Sequence, residues 1–130
     1  MTKWTRETPW RQGQLLTNEA IKSLNITQHK SQENTLVIVA SHDCDLAQTP
    51  DKEPNVELIA GCRIDHLDGN FTYAKSSRRL HLKFDANEPL LAEFVITEKF
   101  SILKESLLSF KPNNCVKLSS QSLTIFQQWL

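Results

Sequence analysis

Five consecutive residues, Ser41-His42-Asp43-Cys44-Asp45, bring a hydroxyl, an imidazole, a thiol and two carboxylates together. They follow Leu36-Val37-Ile38-Val39-Ala40, a β-branched run apolar on both faces, which predicts a central strand buried on two sides. If the strand continues through the run, His42 and Cys44 share one face, and Ser41, Asp43 and Asp45 the other. Side chains two apart then lie about 6.5–7 Å from each other, too far for His42 to activate the thiol. A turn beginning at Ser41 would let them converge. A nucleophilic thiolate also needs a cationic neighbour, and Arg11 is a cation that could face the cluster. His42 supplies acid–base chemistry near neutral pH. The candidate catalytic set is therefore His42, Asp43, Cys44 and Asp45. The competing expectation is a scaffold, with Cys44 as a small buried hydrophobe and an aspartate closing a turn or helix cap at the strand end.

A second constellation is basic. Arg63, Lys75, Arg78, Arg79 and Lys83 are interleaved with Phe71, Tyr73 and His81, and no acidic residue occurs from 69 to 84. Cations for phosphates and aromatic faces for unpaired bases are what single-stranded RNA requires. Arg11, Arg63, Lys75, Arg78 and Arg79 are the candidate nucleic-acid contacts. The plainer alternative is a solvated strand face.

Metal chemistry has two candidate donor sets. His42, Cys44, Cys62 and His66 offer four zinc ligands, but on one strand Cys62 and His66 would stand about 13 Å apart, beyond the reach of a single ion. Asp43, Asp45 and Glu57, with Lys75 nearby, could hold Mg²⁺ in a carboxylate-type nuclease, although no lysine stands two residues beyond Glu57. The expectation is no resident metal or cofactor, with Mg²⁺ only under the nuclease alternative.

These groups need elements to position them. Gly13 before Leu15-Leu16 reads as the entry to a first strand, and Thr17 or Asn18 as the cap of a short helix carrying Ile21 and Leu24. Residues 28–34 read as a polar loop. Val56 to Leu67 predicts a strand interrupted at Gly61, and Asp68-Gly69 a hairpin turn. "RLHLKF" alternates cleanly, with Leu80, Leu82 and Phe84 on one face. Pro89 opens a strand over 90–96. Phe100, Leu103, Leu107 and Phe110 recur at helical spacing and predict a helix over 97–110. Val116 to Leu118 reads as a last short strand, and Ser119 or Ser120 as the cap of a terminal helix with Leu123, Phe126 and Leu130 on one stripe. Trp4 and Trp10 are expected to dock the N-terminal segment onto the core, and Trp129 to pack inside or at a dimer contact.

The order of elements resembles the MazF/PemK toxin endoribonucleases, small barrels related to SH3 domains. Arg11-Gln12-Gly13-Gln14-Leu15-Leu16 is similar to that family's Arg-x-Gly strand, and Val37-Ile38-Val39-Ala40-Ser41 to its Val-Val-Ile-Ser strand. Val56 to Ala60 is similar to its next strand, and "LLAEFVITEKFSILKESLLSF" to its closing strand and helix. The likeness spans roughly 9–110. It implies an SH3-like barrel, RNA contact and, in the family, RNA cleavage. The family's catalytic arginine has no counterpart, because Glu33-Asn34-Thr35 stands there; Cys62 occupies the place of its catalytic threonine or serine.

The chain has 130 residues, 15 Lys plus Arg against 15 Asp plus Glu, and 39% hydrophobic content. That predicts one globular domain over 1–130, α+β and mainly β, with a barrel core of five to six mostly antiparallel strands over about 11–96 and helices near 97–110 and 120–130. Zero net charge leaves any nucleic-acid argument to local patches. Three scattered cysteines, no apolar leader and no run of about 18 apolar residues predict a cytoplasmic protein. The functional expectation is binding, with cleavage a further expectation, of single-stranded RNA in a toxin-like or phage-defence setting. Two alternatives stay open: a non-catalytic module recognising a protein partner, such as an antitoxin or defence component, and a metal-dependent nuclease. A homodimer is compatible with either.

Overall fold

The computed structural model describes residues 3–26 and 34–130. The polar loop expected over 28–34 therefore lies, apart from Asn34, outside the described residues, as does Glu33.

Thr35–Val39 (β1), Asn55–Arg63 (β2), Arg79–Phe84 (β3) and Leu90–Leu103 (β4) form one antiparallel sheet in the order β1-β2-β4-β3. Four helices accompany it among the described residues: Asn18–Ser23 (α1), Asp43–Leu46 (α2), Lys104–Leu107 (α3) and Ser120–Trp129 (α4). The molecule is thus a small α+β domain. The expected barrel of five to six strands is corrected to an open four-stranded sheet. The segments read as first and last strands make single bridges, Leu15 to Ile38 and Asp85 to Lys117. The first is cut short because Gly13 enters at φ 90° and Thr17 already caps α1 with its side chain. These segments still cover the sheet edges. Gly13 N and Leu16 N donate to Val39 O and Val37 O along β1, and Lys117 exchanges two backbone bonds with Asp85 beyond β3. Asn113 N donates to Leu15 O, so residues 113–117 reach from one edge towards the other by isolated bonds.

Each face of the sheet has its own core. Ile38, Ile59, Leu80, Leu82, Phe84, Ala92 and Phe94 pack beneath Phe126 and Trp129 of α4. Val37, Val39, Val56 and Leu58 pack against Ala20 and Ile21 of α1, Leu46, Leu107 and the buried Trp4 and Trp10. The tryptophans dock the N-terminal segment as expected.

Strand β4 serves both cores through one irregularity. Gly61 pairs with Phe94 and Ile59 with Lys99, so β4 advances five residues where β2 advances two. Those three extra residues, an odd number, reverse which face each residue meets. Phe94 therefore enters one core, while Phe100 and Ile102 pack against the other. A side chain on Gly61 would run into the Glu93 carbonyl oxygen and the Phe94 ring. The same slip produced the misleading helical spacing: the expected helix over 97–110 is strand to Leu103, followed by the single turn α3. The Asp68-Gly69 hairpin is likewise corrected. Strands β2 and β3 are not neighbours, since β4 lies between them, and residues 64–78 form a crossing. No helix among the described residues is long and apolar enough to cross a membrane.

Candidate nucleic-acid interface

The reactive run does not continue as strand. After Val39 the chain turns into α2, and its corner is fixed from several sides. Ser41 Oγ accepts from Glu57 N at 2.7 Å, and Asp43 Oδ1 accepts from Gln12 N at 2.8 Å. Gln12 Nε2 donates to Ala40 O at 2.9 Å, and Gln12 Oε1 accepts from Gln127 Nε2 at 3.0 Å. A helix of one turn leaves its last carbonyls without internal partners. Here Trp4 Nε1 donates to Leu46 O at 2.7 Å, and Lys104 Nζ donates to Asp45 O and Gln48 O at 2.7 and 2.8 Å.

Lys104 is fully buried, with its ammonium 5.6 Å from the centre of the Trp4 ring. Burial pulls its pKa below the usual lysine value, while Glu53 and Asp45 oppose the shift. Neither Lys104 nor Gln12 was singled out in the sequence. A lysine where a strand's alternation ends was the available signal, but its partners lie more than 50 residues away.

His42, Asp43, Cys44 and Asp45 all lie on the exposed side of this corner. Cys44 is therefore not the buried hydrophobe of the scaffold expectation, and Asp43 ties down the distant Gln12 N rather than closing a local turn or helix cap. The side chains of His42, Cys44 and Asp45 have no hydrogen-bond or ion-pair partner among the described residues. Arg11 precedes Gln12, whose N donates to Asp43, but its own guanidinium donates to Thr8 O and Trp10 O rather than to a carboxylate of the cluster. Glu57 pairs with Lys99 at 2.9 Å. No three His, Cys, Asp or Glu side chains gather at metal-holding distance among the described residues, so neither donor set is assembled.

The other end of the sheet is built differently. Thr35, Cys62, Glu93 and His81 form one row across β1, β2, β4 and β3. His81 is only 7% exposed. Its Nδ1 accepts from Asp68 N at 3.0 Å, so that nitrogen carries no proton; Nε2 therefore donates to Glu93 Oε2 at 2.8 Å. Phe71 lies against the imidazole with centroids 5.2 Å apart, and His81 N donates to Phe71 O across the outer edge of β3. Burial, and then the Glu93 charge, push the Cys62 thiol up, with Arg79 opposing. A thiol in that setting stays protonated and inert.

This clamp fastens the 64–78 crossing to β3 and presents its cations. The Arg79 guanidinium sits 3.8 Å from Glu93 Oε2 and 5.8 Å from the Phe71 ring centre, with its side chain half exposed. Lys75, Arg78 and Lys83 are exposed and make no ion pair with any described residue. Arg63 departs from the group: it pairs in register with Ala92, which faces the α4 core, so alternation turns it to the face opposite Arg79. Tyr73 and Ala74 have φ of 54° and 58°, a conformation that costs roughly 1–2 kcal/mol for a residue with a Cβ.

The reactive run and the basic crossing thus lie at opposite ends of β1. Ser41 lies beyond Val39 at one end of β1, whereas Thr35 at the other end shares a row with Cys62 and His81. Five residues of strand, about 17 Å, separate the reactive run from the basic crossing. Glu93, the hub of the clamp, was not singled out; an acid inside the apolar run over 90–96 was its signal. No family model, curated protein or solved structure matches this chain.

Proposed function

We propose that this chain binds single-stranded RNA along the face formed by the 64–78 crossing and β3, without cutting it, in a toxin-like or phage-defence setting. The observation that carries the reading is the set Lys75, Arg78, Arg79 and Lys83, exposed around an edge strand with no carboxylate between 69 and 84. Phosphate contacts of this kind give affinity that falls with salt. The clamp supports the reading because it holds the cations on a fixed surface, which lowers the ordering cost of binding.

The same geometry argues against cleavage. Both His81 nitrogens are engaged, so the ring is not free to take a 2′-hydroxyl proton. His42 is open to water, but it stands among Asp43 and Asp45, which repel a phosphodiester. Distant kinship with the MazF/PemK barrels is part of the proposal. The bonds at Leu15, Asn113, Asp85 and Lys117 run where a closing strand would lie.

The test is fluorescence anisotropy of a labelled single-stranded RNA across a salt series. Three or four phosphate contacts predict a slope of about −2 to −3 in log affinity against log salt. Arg78→Ala with Arg79→Ala should reduce that slope and weaken binding about tenfold, while His42→Ala changes neither. Absence of salt-sensitive binding at low ionic strength would overturn the reading and favour a protein-recognising module. RNA cleavage lost in His42→Ala would return the chemistry to the α2 corner.

A further inference from the structure

Tyr73 is the sole tyrosine of the chain and the only exposed Phe, Trp or Tyr among the described residues, with 66% of its surface open. Its neighbours are held. Phe71 N donates to Asp68 O, Thr72 Oγ1 to Gly69 O, and the Phe71 carbonyl is taken by His81 N. On the other side Ala74 packs against the α4 core, and Lys75 N donates to Thr72 O. Tyr73 thus stands between two anchored residues, in a left-handed conformation that bulky side chains rarely adopt. The ring is held in water, on a segment whose next cations, Lys75 and Arg78, are exposed as well. Strain retained at an exposed aromatic points to use rather than packing.

We infer that Tyr73 is a base-stacking platform: its ring takes the face of one unpaired base while Lys75 and Arg78 take the flanking phosphates. This rests on the single-stranded RNA reading and names the residue through which bases, rather than phosphates alone, are felt. Because every base has a π face, the platform favours unpaired strands over duplexes without choosing a sequence.

Three labelled probes of equal length decide the matter: oligouridylate, its abasic sugar–phosphate counterpart and an RNA duplex. The wild-type chain should bind oligouridylate roughly 5- to 150-fold more tightly than the abasic strand, the range set by stacking of one base. Tyr73→Ala should erase that difference while keeping the affinity for the abasic strand and the salt slope. Tyr73→Phe, which keeps the ring, should retain it. Ring-labelled Tyr73 in the wild-type chain should show upfield NMR shifts with oligouridylate and none with the abasic strand, a readout independent of any variant. If wild type binds both single strands equally, or Tyr73→Ala keeps the preference, the platform is overturned while RNA binding stands. If wild type binds no probe, both fall together.

Discussion

The two ends of the sheet both carry ionisable side chains, but they use them in opposite ways. At the α2 corner the groups that look reactive hang into water, and the ones that matter most are buried beneath them: Lys104, Trp4 and Gln12 satisfy backbone atoms. At the crossing end the buried His81 bonds to Asp68 N and to the partly buried Glu93, and cations are left exposed around them. The first arrangement secures a turn of chain. The second prepares a surface. A dense run of catalytic residue types is thus weaker evidence for a site than a bonded polar pair that fastens a segment carrying exposed cations, Lys75 and Arg78 among them.

Variants can break this contrast at either end. The largest effect is expected for Lys104→Met, which keeps the stem but takes the ammonium from Asp45 O, which keeps its bond from Gln48 N, and strands Gln48 O. It should cost about 3 kcal/mol in chemical denaturation and leave RNA affinity of the folded fraction unchanged. His81→Leu should cost about 2 kcal/mol by orphaning Asp68 N and taking from Glu93 Oε2 its nearest donor, leaving it only the Arg79 guanidinium. It should also speed hydrogen exchange in the 64–78 crossing while leaving α2 protected. An exchange change confined to α2 would contradict the division between the ends.

Smaller effects sharpen the contrast. The native pKa of Lys104 is lowered, so between that value and 10.5 the unfolded chain binds the extra proton and stability rises with pH. The raised Cys62 thiol acts the other way above its ordinary value of 9.0, losing stability as pH climbs. Subtracting Lys104→Met from wild type cancels the Cys62 contribution, and the gap should widen as pH rises. A narrowing gap would mean that the ammonium is held by net attraction rather than at a desolvation cost. Towards a thiol reagent at pH 8, Cys44 and Cys115 should react well before Cys62. Smallest of all, Cys44→Ser and His42→Ala should each change stability by less than about 0.5 kcal/mol, since neither side chain has a partner at the exposed corner.

What could be read from the sequence followed local rules. Thr17 and Ser119 cap their helices as their positions announced, Gly61 marks the strand irregularity, and "RLHLKF" alternates as written. Non-local events were illegible. Three inserted residues in β4 turned a strand period into a false helical one. The placement of β4 between β2 and β3 made Asp68-Gly69 a turn within a crossing rather than a hairpin tip. The cations were visible as a charge run, but their clamp depended on Glu93, twelve residues from His81 and paired with it only through the register of β3 and β4. The reactive run was visible by residue type alone. Nothing local announced that Lys104 and Trp4, far along the chain, would hold its turn.

The most direct test is a backbone amide NMR titration of the wild-type chain with an oligouridylate. The account predicts shift changes concentrated over residues 69–83, diminishing with added salt, and little change over 41–48. Changes centred on the α2 corner, or none anywhere at low salt, would contradict it.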